Sequence, residues 1–250
     1  MNKEQLRMTT SEAIGDYLLE NVHGVVYGKK NLEIAQKHLR NGGSILVYFN
    51  HFAKLDGILY GKIINGYLTP FDNVAAVTAF KHVDPKRGIL NKGQKALIED
   101  WEKIYGLTSI PIIQAKDKDH YDNANTSNRN SLTRIKNFLR EPGHVVAFAP
   151  EGTRSSNDEL LPAEPGFQLL LKAGGDNVLA LPFAGIHKTI LPGRCTTVIV
   201  GKPVSLKELK AKQIASPNLS ITDIAMYDLA ALLPMQNRGH YQIPTCLDIK

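Results

Sequence analysis

Residues 30–51 read KNLEIAQKHLRNGGSILVYFNH. Leu32, Ala35 and Leu39 recur at three- and four-residue spacing, the stripe of a helix with one buried face. NGG at 41–43 stops that helix, and SILVYF at 44–49 is the continuous apolar run of a strand covered on both sides. The same helix, stop and strand return along the chain. Leu97, Ile98, Trp101, Ile104 and Tyr105 lead through Gly106 to SIPII at 109–113, and Leu132, Ile135, Phe138 and Leu139 lead through Pro142 and Gly143 to HVVAFA at 144–149. A further helix around 167–172 ends at AGG and precedes VLALPFAGI at 178–186. CTTVIVG, from Cys195, reads as one more strand; a short helix over 10–23 comes before the alternating region, and a helical, Pro-punctuated tail over 205–250 follows it. Strands alternating with helices predict one α/β domain over 1–250, with a mostly parallel central sheet flanked by helices. Its chemistry belongs at the strand ends, in the loops that enter the helices.

Composition narrows the classes. With 43% apolar and 22% charged residues in 250, the chain is globular rather than disordered or collagenous. Its longest apolar runs fall short of a membrane span, and the acidic, interrupted N-terminus lacks the pattern of a signal peptide, so a cytoplasmic location is expected. Cys195 and Cys246 are far apart and suggest neither a disulfide framework nor a zinc knuckle. A net charge of +6 and a pI near 9.2 favour anionic partners. Nucleic acid is not expected among them, because aromatics are only 7% and no basic run is interleaved with them. G-x-S-x-G, the phosphate-loop motif and G-x-G-x-x-G are all missing; GILNKGQK at 88–95 spaces its glycines suggestively but has Gln94 where a phosphate loop needs lysine. Asp117, Asp119, His120 and Asp122 superficially offer metal ligands, but the turn-rich stretch around them reads as a solvated loop, and no metal is expected.

Two segments at predicted strand ends carry unusual chemistry. His51 and Asp56 follow the strand SILVYF and precede a helix. An imidazole can take a proton from an alcohol at neutral pH, and a carboxylate on its other nitrogen fixes the tautomer and stabilises the imidazolium. Taken alone, the spacing favours a packed loop histidine and an N-capping aspartate, because two common polar residues make a weak motif. After HVVAFA come Pro150, Glu151, Gly152, Thr153 and Arg154. Gly152 permits close backbone approach, Thr153 offers a hydroxyl, and the Arg154 fork suits a phosphate. A tight turn in which Glu151 and Arg154 pair with each other is the alternative.

Together, H-x4-D and F-x-P-E-G-T-R-S resemble the glycerolipid acyltransferases of the 1-acylglycerol-3-phosphate acyltransferase type. The resemblance runs over about residues 30–210 and takes in LLPAEPGFQLLLKAG, VLALPFAGI with Pro182, and VIVGKPVSL. It implies transfer of a fatty acyl group from an acyl thioester, on coenzyme A or acyl carrier protein, to a lysophospholipid hydroxyl, with 1-acylglycerol 3-phosphate giving phosphatidate as the simplest case. It makes His51 the general base and Asp56 its orienter, and it places Glu151, Gly152, Thr153, Arg154, Lys116 and Pro182 in substrate binding. No metal or bound cofactor is implied; the thioester is a co-substrate. Absence of a serine or cysteine nucleophile motif agrees with direct attack. Departures are Ala53, where the family often has serine, and Gln114, where it usually has a basic residue, with Lys116 and Lys118 beyond. Gln114 leaves open another lysolipid or polar acceptor, and a non-catalytic lipid-binding relative is a further alternative. A lipid acceptor implies a protein lying on the inner face of a membrane, with the N-terminal helix and GILYGKIINGYLTPF at 57–71 as the segments that could touch it; the alternative for each, a core helix or loop, is favoured slightly.

Overall fold

A computed structural model describes residues 2–52, 56–82, 84, 89–186 and 195–242. The order of elements is α1 (Lys3–Asn21), β1 (His23–Tyr27), α2 (Lys29–Arg40), β2 (Ser44–Phe49), α3 (Asp56–Tyr67), β3 (Val74–Ala79), α4 (Ile89–Tyr105) and β4 (Thr108–Ile112). Then follow α5 (Ala124–Phe138), β5 (Val145–Phe148), α6 (Gly166–Ala173), β6 (Val178–Ile186), β7 (Cys195–Val200), β8 (Val204–Ser205), α7 (Leu206–Ala215) and α8 (Ile221–Ala230). The strands form one sheet in the order β1-β7-β6-β2-β5-β3-β4, with β8 also on β6. Pairing is parallel except where β7 and β8 run antiparallel to β6. The mostly parallel α/β architecture expected from the alternation is therefore present.

All six residues of β2 are buried, and their two-residue alternation feeds two cores. Ile45, Val47 and Phe49 pack with Leu32 and Leu39 of α2 and Leu59 and Ile63 of α3. Leu46 and Tyr48 face the opposite layer, with Ile135 of α5, Phe167 of α6 and Leu229 of α8. The helix stop at NGG is a left-handed Gly42, φ 84°, from which the chain turns straight into β2. Since β2 lies between β6 and β5 and runs parallel to both, the C-terminal ends of these three strands stand side by side at one end of the sheet.

α1 is longer than the 10–23 expected and is fastened to α4. Buried Asp100 accepts from Arg7 at 2.8 Å and from Ser11 at 2.7 Å, and the Trp101 indole donates to the Ser11 carbonyl at 3.0 Å. Leu6, Ile14 and Tyr17 of α1 face solvent, whereas Leu59, Tyr60, Ile63, Ile64 and Leu68 of the 57–71 stretch are core. Among the described residues no helix is long and apolar enough to cross a membrane. The backbone of 89–95 belongs to α4, so most of GILNKGQK is helix rather than loop. Ala53 and Cys246 fall outside the described residues, as do 243–250 of the tail.

Candidate active site

Site construction begins one residue beyond β2. The Asn50 side chain is buried and acts as an extra rung of the sheet: its Nδ2 donates to the Gly185 carbonyl at 2.9 Å, and its Oδ1 accepts from the Gly185 N–H at 2.8 Å. The Tyr60 hydroxyl adds a longer bond to Asn50 Oδ1 at 3.3 Å. Gly185 has a second duty, because a Cβ there would fall on the ring of Phe52. The residues on either side of His51 are thus set against the end of β6.

Asp56 is the first residue of α3, where the helix dipole favours a carboxylate, and it is 2% exposed. Its Oδ2 lies 2.6 Å from His51 Nδ1. A carboxylate can only accept, so Nδ1 carries the proton, and in the neutral ring Nε2 presents its lone pair. Among the described residues no side chain or carbonyl bonds to Nε2, and the imidazole is 29% exposed on a cleft edged by Asn50, Phe52, Ser155 and Asp158. Asp158 holds a left-handed backbone, φ 62°, at the rim of that cleft.

Glu151 reaches the same place from β5. A turn in which Gly152 N–H donates to the Ala149 carbonyl at 3.1 Å swings it under the His51 loop. Gly152 is left-handed at φ 63°, and an added Cβ would stand 3.0 Å from Glu164 Cγ. One oxygen of Glu151 accepts from the backbone N–H of His51 at 2.8 Å, and the other accepts from the backbone N–H of Leu161 at 2.8 Å. Burial pushes this carboxyl up from 4.5 to about 7; the two amide hydrogen bonds and His51 pull it down, and Asp56 adds to the rise.

The remaining predicted residues separate into those near the site and one within the sheet. Thr153 Oγ1 accepts from Lys116 Nζ at 2.8 Å, which ties the turn after β4 to the turn after β5. Arg154 follows and is exposed. Pro182 is buried inside β6, in register with Tyr48, and its carbonyl accepts from the Gly201 N–H at 2.9 Å, so it does not line the cleft. Gln114 is not alone at its position: Lys81, arriving from the end of β3, donates to its Oε1 at 2.8 Å and lies 3.6 Å from Asp117. Sequence reasoning did not single out Asn50, Phe52, Leu161 or Lys81. Asn50 carried the one usable signal, a polar amide placed directly after an apolar strand.

The chain is thus a mostly parallel α/β protein with a histidine–carboxylate pair at the ends of its central strands. No known family model matches it, and no curated protein matches it. Among solved structures it is similar to the 1-acyl-sn-glycerophosphate (LPA) acyltransferase PlsC from Thermotoga maritima, at 16% identity over 87% of this chain and 82% of that one, with a TM-score of 0.43.

Proposed function

We propose that the protein is an acyltransferase that moves a fatty acyl group from an acyl thioester to a hydroxyl of a lysophospholipid, 1-acylglycerol 3-phosphate first among them. The observation that carries this reading is the 2.6 Å contact between His51 Nδ1 and Asp56 in a histidine that lines the cleft, which leaves Nε2 of the neutral ring as the proton acceptor. In the proposed reaction Nε2 takes the proton of the acceptor hydroxyl as that oxygen attacks the thioester carbonyl. The tetrahedral adduct then collapses with cleavage of the C–S bond, and the leaving thiolate recovers the proton from the imidazolium. Asp56 holds the ring in the needed tautomer and offsets its transient charge. Arg154 is exposed beside the Thr153–Lys116 pair, where its fork suits the acceptor phosphate. A lipid acceptor requires work at a membrane surface, and we place the protein on the cytoplasmic face, with the outward Leu6, Ile14 and Tyr17 of α1 available to it.

The test is transfer from long-chain acyl-CoA and from acyl carrier protein thioesters to a panel of lysolipids, read by mass spectrometry. Acylated product that disappears with His51→Ala is expected. Product formed equally well by His51→Ala would remove His51 as the base, and no product from any pair, with lipid vesicles still bound, would favour a non-catalytic lipid-binding protein.

A further inference from the structure

Sequence resemblance puts Glu151 among the residues that touch substrate; the structure gives its carboxylate another occupation. Both oxygens are already engaged by backbone amides of two different loops, His51 on one side and Leu161 on the other, and the residue is only 3% exposed. The loops leave β2 and β5, which are neighbours in the sheet and pair in parallel. We infer that Glu151 is a positioning residue: its carboxylate ties the backbone of His51 to the loop returning at Leu161 and so fixes where the imidazole stands. This inference rests on the proposed role of His51 for its catalytic consequence, though not for the link itself.

Local chemistry supports it. Asp56 grips the ring and Asn50 pins the preceding residue to β6, but neither fixes the backbone of His51 itself. Glu151 supplies that third restraint. Glutamine is the informative replacement, because it keeps the length while its one oxygen can serve only one amide and its NH2 meets the other N–H donor to donor. Aspartate keeps both acceptors but is a methylene too short to span the loops. A displaced base lowers the rate of a proton transfer far more than it weakens binding.

Both readouts use the full-length protein. In isotope-labelled wild type, the amide signals of His51 and Leu161 should titrate together with a midpoint near 7, since both follow one carboxyl. The titratable groups facing it, His51 and Asp56 from the site, Tyr60 from α3 and Tyr241 after α8, accompany it in both forms of the protein. Glu151→Gln should abolish that shared titration and lower kcat about 10- to 100-fold with both KM values unchanged, and Glu151→Asp should fail to restore kcat. An acceptor KM that rises while kcat holds would make Glu151 a substrate contact and overturn the inference, as would unchanged kinetics in the glutamine variant. Amides that titrate apart, or not at all, in wild type overturn it even if the variants fail to fold. If no donor and acceptor pair gives product, the acyl-transfer reading fails, while the amide titration still decides whether the link exists.

Discussion

Raising the pH should take stability away from this fold through Glu151. Its carboxyl stands at about 7 in the folded protein because burial outweighs two amide hydrogen bonds, whereas in the unfolded chain it titrates near the ordinary 4.5. Between those values the native state holds a proton that the unfolded state has released. Stability then falls as pH rises, by up to about 1.4 kcal/mol per pH unit and by roughly 3 kcal/mol in all, and this contribution is flat below the lower value and above the upper one. The sign is opposite to that of a salt-bridged carboxylate, whose contribution is lost in acid. Histidines and other carboxyls titrate over the same range, so the quantity to follow is wild type minus Glu151→Gln, from urea unfolding at steps between about pH 4 and about pH 8. Glutamine has no proton to exchange, so every pH-independent effect of the substitution, including the donor-to-donor meeting with one amide, drops out of the slope. The difference should decline across the window by roughly 3 kcal/mol, a large share of the 5–15 kcal/mol typical of a whole domain. A difference that stays constant, or that grows with pH, refutes the claim that burial dominates this carboxyl.

Asp56→Asn should lower kcat by about 10²- to 10⁴-fold with the thioester KM unchanged, because the amide no longer enforces a proton on Nδ1; steady-state kinetics that show a KM effect alone would contradict it. Arg154→Ala should raise the KM of a phosphate-bearing acceptor by about 10- to 100-fold, the worth of a charge-assisted hydrogen bond or two, and should spare a phosphate-free lysolipid. An equal effect on both acceptors would move Arg154 away from the phosphate. Gly28→Ala should destabilise the protein by about 2 to 4 kcal/mol, since φ is 86° and the new Cβ would strike the Val200 carbonyl; an unshifted urea midpoint would refute it.

Much of the layered fold was legible because burial writes itself into sequence period. Leu32, Ala35 and Leu39 mark α2, and the six apolar residues of β2 mark a strand with helices on both sides, as they must where no face is wet. β1 and β3 were not read. β1 is an edge strand whose alternate residues are exposed, Val25 at 44% and Tyr27 at 57%, so its pattern lacks the apolar continuity of the interior. β3 is rich in alanine, which signals helix as readily as strand. Apolar content left 57–71 open, because the same residues suit a membrane face or a core, and packing decides for the core.

The site was legible as residue types rather than as roles. Proximity of His51 and Asp56 follows from local chain direction, since five residues at a strand-to-helix turn bring them together. Glu151 is different: its role depends on β5 lying beside β2 in register and on the chain coming back at Leu161, and neither is encoded within reach of its own segment. A carboxylate next to an arginine in E-G-T-R looks like part of a charged binding turn, yet Glu151 turns inward to amides while Arg154 stays outside. Two carboxylates therefore meet the same histidine in different ways. Asp56 holds the ring from a helix N-terminus, and Glu151 holds the backbone from a buried position that costs the fold stability above acid pH. If that division is right, loss of Asp56 should act through the protonation of His51, and loss of Glu151 through its position. The Glu151 half of that division is tested by whether an exogenous imidazole, free to find its own place and its own tautomer, restores turnover as fully to His51→Ala combined with Glu151→Gln as to His51→Ala alone. Equal rescue of both is the expected result, because Glu151 has nothing left to position once the ring is gone; a rescue that still needs Glu151 would mean that its carboxylate acts on the reacting groups themselves.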